Sequence, residues 1–400
     1  MSLLSKYFGP STLVTAAFLG PGTLTVCTLA GVRFGYSLLW VLLFAIVSTI
    51  ILQEMAARIG VVTQKGLGEA IRTNIQHPLI RKTSLMLIFT AIVLGNAAYE
   101  AGNIAGATLG LQMLQADFSY WPLLVGGAAF TILYLGTRKA IEKTLIGLVV
   151  IMSLIFVITA LLVKPDLTAV AAGFLPQVAA TDFLTVVGLL GTTIVPYNLF
   201  LHASTISSKY EHPEQMNAVR FENSIAILLG GLISMAILIT SATVLHGQNV
   251  SGLEDMAAQL EPLLGKFSKP FLGIGFFAAG VSSAMTAPIA AAYAASGIFS
   301  WSPSSSDWRF RGTWILILFI GTVFASLGYK PIKVIQIAQV ANGMLLPLIA
   351  FFLIYSCNQK RVLGQYTNTL LQNCLSILVL LITIAIGFRG ISKVVSTLSW

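Results

Sequence analysis

Charge is scarce in this chain. Of its 400 residues only 9% are Asp, Glu, Lys or Arg, while 56% are hydrophobic, and the mean hydropathy is +0.87. A soluble domain carries about 25% charged residues. The deficit excludes an ordinary soluble globular protein, and no polar stretch is long enough to fold as a separate soluble domain. Cysteine is rare as well. Cys27, Cys357 and Cys374 lie in or beside apolar runs without metal-type spacing, and they read as small packing residues. The histidines are four; His77, His212 and His246 lie in loops or at boundaries and show no ligand spacing. No glycine loop of the phosphate-cradling kind occurs, so no nucleotide is expected to bind. No catalytic residue and no cofactor are assigned, and an enzyme is not expected. A cleavable signal peptide is not expected either, because the first apolar run is long and continues as a span.

What the chain has instead is a series of long apolar runs. They predict an all-α integral membrane protein with eleven transmembrane helices, over about 11–33, 37–59, 84–110, 121–137, 144–164, 183–206, 221–246, 268–298, 312–328, 333–357 and 369–389. The net charge of +9 then has a topological meaning. With the N-terminus inside, fifteen of the 23 Lys and Arg fall in inner segments and eight in outer ones. That bias predicts a plasma (inner) membrane protein with a cytoplasmic N-terminus and an external C-terminus. A nucleic-acid partner is not expected, since no basic stripe with interleaved aromatics stands clear of the bilayer. Between spans, Gly66-Leu67-Gly68-Glu69-Ala70-Ile71-Arg72 reads as a short amphipathic helix on the inner surface. Glu54 and Arg58, four residues apart near the inner end of the second span, read as an interfacial ion pair.

Two runs are interrupted. Leu19-Gly20-Pro21-Gly22-Thr23 breaks the first span, and Ile194-Val195-Pro196-Tyr197-Asn198 breaks the sixth, with Pro196 lying 175 residues after Pro21. Matching breaks in two halves of an apolar chain mark a secondary transporter whose site lies where helices unwind. Five spans per half force the halves to be inverted, which divides the chain into 1–165, 166–357 and an additional eleventh helix over 358–400. Unwinding at the bilayer midplane exposes N–H and C=O groups that lipid cannot satisfy, so the defect must line a cavity or bind something. One half-helix offers N–H groups and a positive dipole end, the other carbonyls and a negative end. Gly20, Gly22 and Thr23 surround the first break; Thr192, Thr193, Val195, Tyr197 and Asn198 surround the second. None is a carboxylate or a thioether.

The chain resembles the Nramp family of metal transporters at several of these places. Gln53-Glu54-Met55-Ala56-Ala57-Arg58-Ile59-Gly60-Val61-Val62-Thr63 with Leu67-Gly68-Glu69-Ala70-Ile71-Arg72 is similar to that family's second-span signature. Pro196, Asn198-Leu199, Leu201 and His202 resemble its sixth span, Gly280, Ser282 and Ser283 its eighth, and Gln339-Val340 with Leu346-Pro347 its tenth. The resemblance implies the inverted 5+5 repeat of the leucine-transporter-like fold, with helices 1 and 6 discontinuous. It also exposes departures. The family's Asp-Pro-Gly-Asn stands here as Gly20-Pro21-Gly22-Thr23, its Met-Pro-His as Val195-Pro196-Tyr197, and its Asp-Leu-x-Glu as Glu100-Ala101-Gly102-Asn103.

A transition metal needs anionic or soft ligands to replace its water, and magnesium needs a carboxylate in most sites. Hydroxyls, an amide and backbone would leave a divalent ion with about two uncompensated charges, a cost of several kcal/mol or more. Half-helix N-termini without the Asp favour a small anion instead. The expected cargo is therefore a small inorganic oxyanion, bicarbonate first, held by Gly20, Gly22, Thr23, Thr192, Thr193, Tyr197 and Asn198. An anion entering a negative-inside cell works against about 2.3 kcal/mol per charge per 100 mV, so a cation must accompany it. The resemblance implies sodium, between the first break and the eighth span, at Ala17, Gly20, Ser282, Ser283 and Thr286. Glu100, Asn103, His202 and Gln339 are candidate coupling residues. The competing reading keeps the family's function, proton-coupled manganese or magnesium uptake, with Glu100, Asn198 and Gln339 as improvised ligands. A structural role stays open for each: Thr23, Tyr197 and Asn198 as caps of freed backbone, Ser282 and Ser283 as packing residues, Glu100 as a hydrogen-bonding partner of a broken helix, His202 as a packed, hydrogen-bonded side chain.

The topology is directly testable. With the three native cysteines replaced, a membrane-impermeant maleimide added to intact cells should label Lys266→Cys and spare Lys360→Cys. The reverse pattern would invert the assigned orientation.

Overall fold

The computed structural model describes residues 19–114, 118–136, 138–176 and 182–398. Among them the chain is all helix, without strands. Thirteen helices carry the architecture: α1 Pro21–Phe34, α2 Leu39–Thr63, α3 Leu67–Asn74, α4 Pro78–Leu114, α5 Trp121–Leu135, α6 Arg138–Leu162, α7 Phe183–Thr193, α8 Pro196–Ser207, α9 Met216–Val244, α10 Ser268–Phe299, α11 Trp308–Ser326, α12 Pro331–Cys357 and α13 Leu370–Leu398. Nine of the described helical stretches are long and apolar enough to cross a membrane, with α7 and α8 counted as one. Of the remaining two expected spans, α5 has 15 residues and α1 has 14. The incoming half of the first span precedes residue 19 and lies outside the described residues.

Both breaks are built the same way. A residue before proline is pushed out of the helical region, and proline itself fits the first helical position because its missing N–H would have no partner there. Gly20 is extended at φ −91°, ψ −174°, and α1 starts on Pro21. Val195 is extended at φ −81°, ψ 117°, and α8 starts on Pro196. Upstream, α7 closes with Ile194 N donating to Leu190 O at 2.7 Å. Pro288 and Pro347, by contrast, sit inside the continuous helices α10 and α12.

Small residues let the helices around the breaks approach to backbone contact, the usual device where lipid offers no hydrophobic drive. Gly106 of α4 lies against Pro21, and Gly191 of α7 against the Gln339 carbonyl and Gly343 of α12. Gly280 of α10 faces the Asn103 carbonyl, which a Cβ there would approach to 2.7 Å. Large apolar side chains cover the periphery instead; Leu161 and Phe388, for example, are 76% and 73% exposed and face the lipid belt.

The predicted amphipathic helix is present as α3. Its Leu67, Gly68, Ala70 and Ile71 are buried, and Gly66 N donates to Glu69 Oε2 at 3.3 Å. The Glu54–Arg58 pair forms as well, at 3.1 Å, but Arg58 is buried rather than interfacial. Its guanidinium also donates to Asn368 Oδ1, Gln372 Oε1 and the Tyr366 carbonyl, and Glu54 takes a second cation, Arg220, at 3.0 Å. A charge this deep needs every one of those partners. They tie α2 to α9 and to the linker ahead of α13. At the other end of the bundle Gln259, between α9 and α10, bonds Thr28 of α1, with both residues buried. Cys27 and Cys357 are buried as expected for packing residues, whereas Cys374 is exposed.

The packing makes a prediction. Gly191→Ala should lower the thermal midpoint in detergent, because its methyl meets the α12 backbone; overpacking of this kind costs about 1–3 kcal/mol. Gly147→Ala, where nothing lies within 4 Å, should leave the midpoint unchanged or raise it.

Candidate functional site

The two breaks face each other across α1, α7, α8, α4, α10 and α12. Thr23 and Thr192 meet directly, their hydroxyls 2.8 Å apart, so one residue from each break joins them. Gln339 of α12 lies against Gly22, which has no side chain to hold it off, and its Oε1 is buried without a hydrogen-bond partner. Tyr197 packs edge-on against Tyr99 of α4, with ring centroids 5.4 Å apart. A Cβ placed on Gly20 would lie 3.6 Å from the Tyr99 hydroxyl and 3.0 Å from Ser283 Oγ. Asn198 is buried, with Oδ1 unpartnered. The structure therefore gathers Gly20, Gly22, Thr23, Thr192, Tyr197 and Gln339 around one locus. Tyr99 belongs to it too, although nothing in its local sequence separates that tyrosine from apolar packing.

Some expectations need correction. Thr193 was expected to add a donor to the locus, but its hydroxyl donates back to the Leu189 carbonyl at 3.0 Å, one turn earlier in α7. Thr286 likewise donates to the Ser282 carbonyl at 3.0 Å. Of the residues expected around sodium, Gly20 and Ser283 are brought together, and Ala17 lies outside the described residues. His202 is fully buried, but neither ring nitrogen has a hydrogen-bond partner, so the packed, hydrogen-bonded histidine is only half right.

Glu100 settles where negative charge can act. Its Oε2 accepts from Asn103 Nδ2 at 3.2 Å, while Oε1 has no hydrogen-bond partner. Gly321 of α11 packs onto its stem, and a Cβ there would lie 2.5 Å from Glu100 Cγ. Gly102 and Gly106, two and six residues further on, face α12 and Pro21. At about 100° per residue these positions point some 120–160° away from Glu100. The Glu100 stem thus packs against α11, while its carboxylate is close enough to Tyr99 and Tyr197 to act on both electrostatically. Glu100, Asn198 and Gln339 make no hydrogen bond to one another, and each keeps a buried oxygen without a partner. The helices α1, α7, α8, α10 and α12 contain no Asp or Glu at all. Among the described residues no three His, Cys, Asp or Glu gather where they could hold a metal.

Two further buried polar residues lie beside the second break. Asn96 of α4 and Asn342 of α12 line a narrow space together with Pro196 and Tyr197. Both are 1% exposed. An amide inside a span is a signal readable in sequence, since such groups are costly in lipid, but only the fold shows that these two share a wall.

Comparison with known proteins agrees with this architecture. The family described as natural resistance-associated macrophage protein-like (Nramp) matches residues 11–393. A divalent metal cation transporter MntH from Caldanaerobacter subterraneus subsp. tengcongensis is 28% identical over 387 residues, covering 94% of this chain and 90% of its own. The MntH of a Nostoc species is also 28% identical, over 401 residues, covering 95% and 89%. Among solved structures, the manganese transporter of Eremococcus coleocola, bound to an aromatic bis-isothiourea compound, superposes with TM-score 0.79 at 20% identity, covering 98% of this chain and 87% of its own. The nucleobase-cation symporter Mhp1 superposes with TM-score 0.58 at 12% identity, covering 98% and 93%. These structural likenesses carry the fold.

The contact between Gly22 and Gln339 can be probed directly. Gly22→Ala places a methyl inside the Gln339 amide and should cut uptake of whichever cargo the protein carries by about tenfold or more, while elution stays monodisperse. Uptake within twofold of wild type would show that this contact is not part of the site.

Proposed function

The chain belongs to the Nramp family, and from that premise we propose that it carries a small oxyanion, bicarbonate first, between its two helix breaks, with sodium as the coupling ion. One observation carries this reading: the helices that form the two breaks hold no carboxylate, and the stem of the one acid on the adjacent α4, Glu100, packs against α11. The locus offers the hydroxyls of Thr23, Thr192 and Tyr197, the amides of Asn198 and Gln339, and the N-terminal ends of α1 and α8. Such a set suits a singly charged anion that needs several donors. It is poor for a doubly charged cation, whose dehydration would go uncompensated. The proximity of Ser283 to Gly20 supports a cation site beside the anion, where the two charges would offset each other.

A second reading has its own support. The relatives are described as divalent metal cation transporters and a manganese transporter, and the comparisons favour that cargo over an anion; none of the proteins named above is described as an anion carrier. Under that reading the chain is a proton-coupled manganese or magnesium transporter, with Asn198, Gln339 and backbone carbonyls as ligands and Glu100 acting at a distance.

Reconstitution into proteoliposomes separates the two. Labelled bicarbonate should accumulate when sodium is high outside and should not when sodium is equal on both sides, and manganese should fail to quench a dye trapped within. Thr23→Ala and Tyr197→Phe should each reduce bicarbonate uptake about five- to tenfold, the worth of one hydrogen bond. Manganese quenching without bicarbonate uptake would establish the second reading and remove the first.

A further inference from the structure

Asn96 has a fixed orientation. Its Nδ2 donates to the Ile92 carbonyl at 2.9 Å, one turn back in α4, so Oδ1 must point away from that carbonyl. That oxygen is buried and has no partner. Asn342 lines the same space; its Nδ2 is buried and without a partner, and its Oδ1 lies beside Gly95. The rest of the wall is apolar or aromatic: Ala91, Ile92, Leu345, Ile349 and the Pro196–Tyr197 corner of the second break. An unmade hydrogen bond on a buried amide costs about 1–3 kcal/mol. Here an acceptor and a donor are both left open on two residues that line one space, and no charged side chain lies among its lining residues.

We propose that Asn96 and Asn342 form an amide pair that selects a cargo bearing both a hydrogen-bond donor and an acceptor. The inference rests on the oxyanion reading above and narrows it. Bicarbonate carries a hydroxyl, which donates to Asn96 Oδ1, and carboxylate oxygens, which accept from Asn342 Nδ2. Nitrate has the same planar shape and charge but no proton, so it leaves Asn96 Oδ1 unsatisfied. The pair is therefore the element that separates hydrogencarbonate from other planar anions, whereas the helix ends at the breaks supply only attraction for negative charge. The space is narrow in this conformation. Its walls include Pro196, and α12 runs from Gly343 to Pro347 just beyond Asn342, where Pro347 lacks a backbone N–H and leaves the Gly343 carbonyl without its usual helical donor. These are the points at which the wall can part for a planar anion.

The test uses the full-length protein in proteoliposomes, with labelled bicarbonate as substrate and unlabelled nitrate as competitor. Wild type should show saturable bicarbonate uptake that nitrate inhibits weakly. Asn96→Ala should raise the KM for bicarbonate about tenfold and make nitrate an equal competitor, because the discriminating acceptor is gone. Asn96→Ser, which keeps an acceptor oxygen, should recover part of the discrimination. Asn342→Ala should weaken both anions alike. If wild type takes up bicarbonate while all three variants keep its KM and its nitrate ratio within twofold, the amide pair is refuted and the oxyanion reading survives. Absence of bicarbonate uptake by wild type overturns both. Should a variant fail to fold, a density map of wild type decides: density bridging the two amides in bicarbonate but not in nitrate supports the pair, and identical density in both overturns it.

Discussion

The structure depends on what two prolines do to helices that have no water to fall back on. A proline at the first helical position forces the residue before it into an extended conformation. In a soluble protein the freed carbonyls and N–H groups would be hydrated. Among apolar helices they must find protein partners or a ligand. Gly20-Pro21 and Val195-Pro196 create the same defect twice. The hydroxyl pair Thr23 and Thr192 then joins the defects across the bundle. The site is thus a consequence of the breaks rather than something added to a finished fold.

Glycines decide how close the helices come and which side chains reach the breaks. Without a Cβ at Gly22 there is room for the Gln339 amide, and without one at Gly191 and Gly343 the second break can lie on the α12 backbone. On α11, Gly321 makes room for the Glu100 stem. The stem of the one acid on α4 is thereby held at α11, with its carboxylate within electrostatic reach of Tyr99 and Tyr197.

The ends of the bundle are fastened differently. At one end Arg58 is buried among Glu54, Asn368, Gln372 and the Tyr366 carbonyl, binding α2 to the linker before α13. At the other end a neutral pair, Thr28 and Gln259, holds the segment between α9 and α10 over α1. A multiply satisfied buried ion is costly to break, whereas a neutral hydrogen bond is worth about 1 kcal/mol. The two ends therefore differ in what holds them together.

The sequence alone determined the membrane character, the positions of most spans and both breaks. Each of these follows from local physics: run length against bilayer thickness, and proline against the helix. It also determined that the breaks carry no acid, because that is a matter of identity at each position. It could not determine where side chains point. That the Glu100 stem packs on Gly321 of α11, for example, is decided only where α4 and α11 meet. Thr193 was eligible as a donor until its hydroxyl proved to be spent within α7. Asn96 and Asn342 lie 246 positions apart, and nothing local relates them. Their pairing arises only when α4 and α12 meet over small residues, because contact between distant segments is fixed by the packing of whole helices and not by any stretch of chain read by itself.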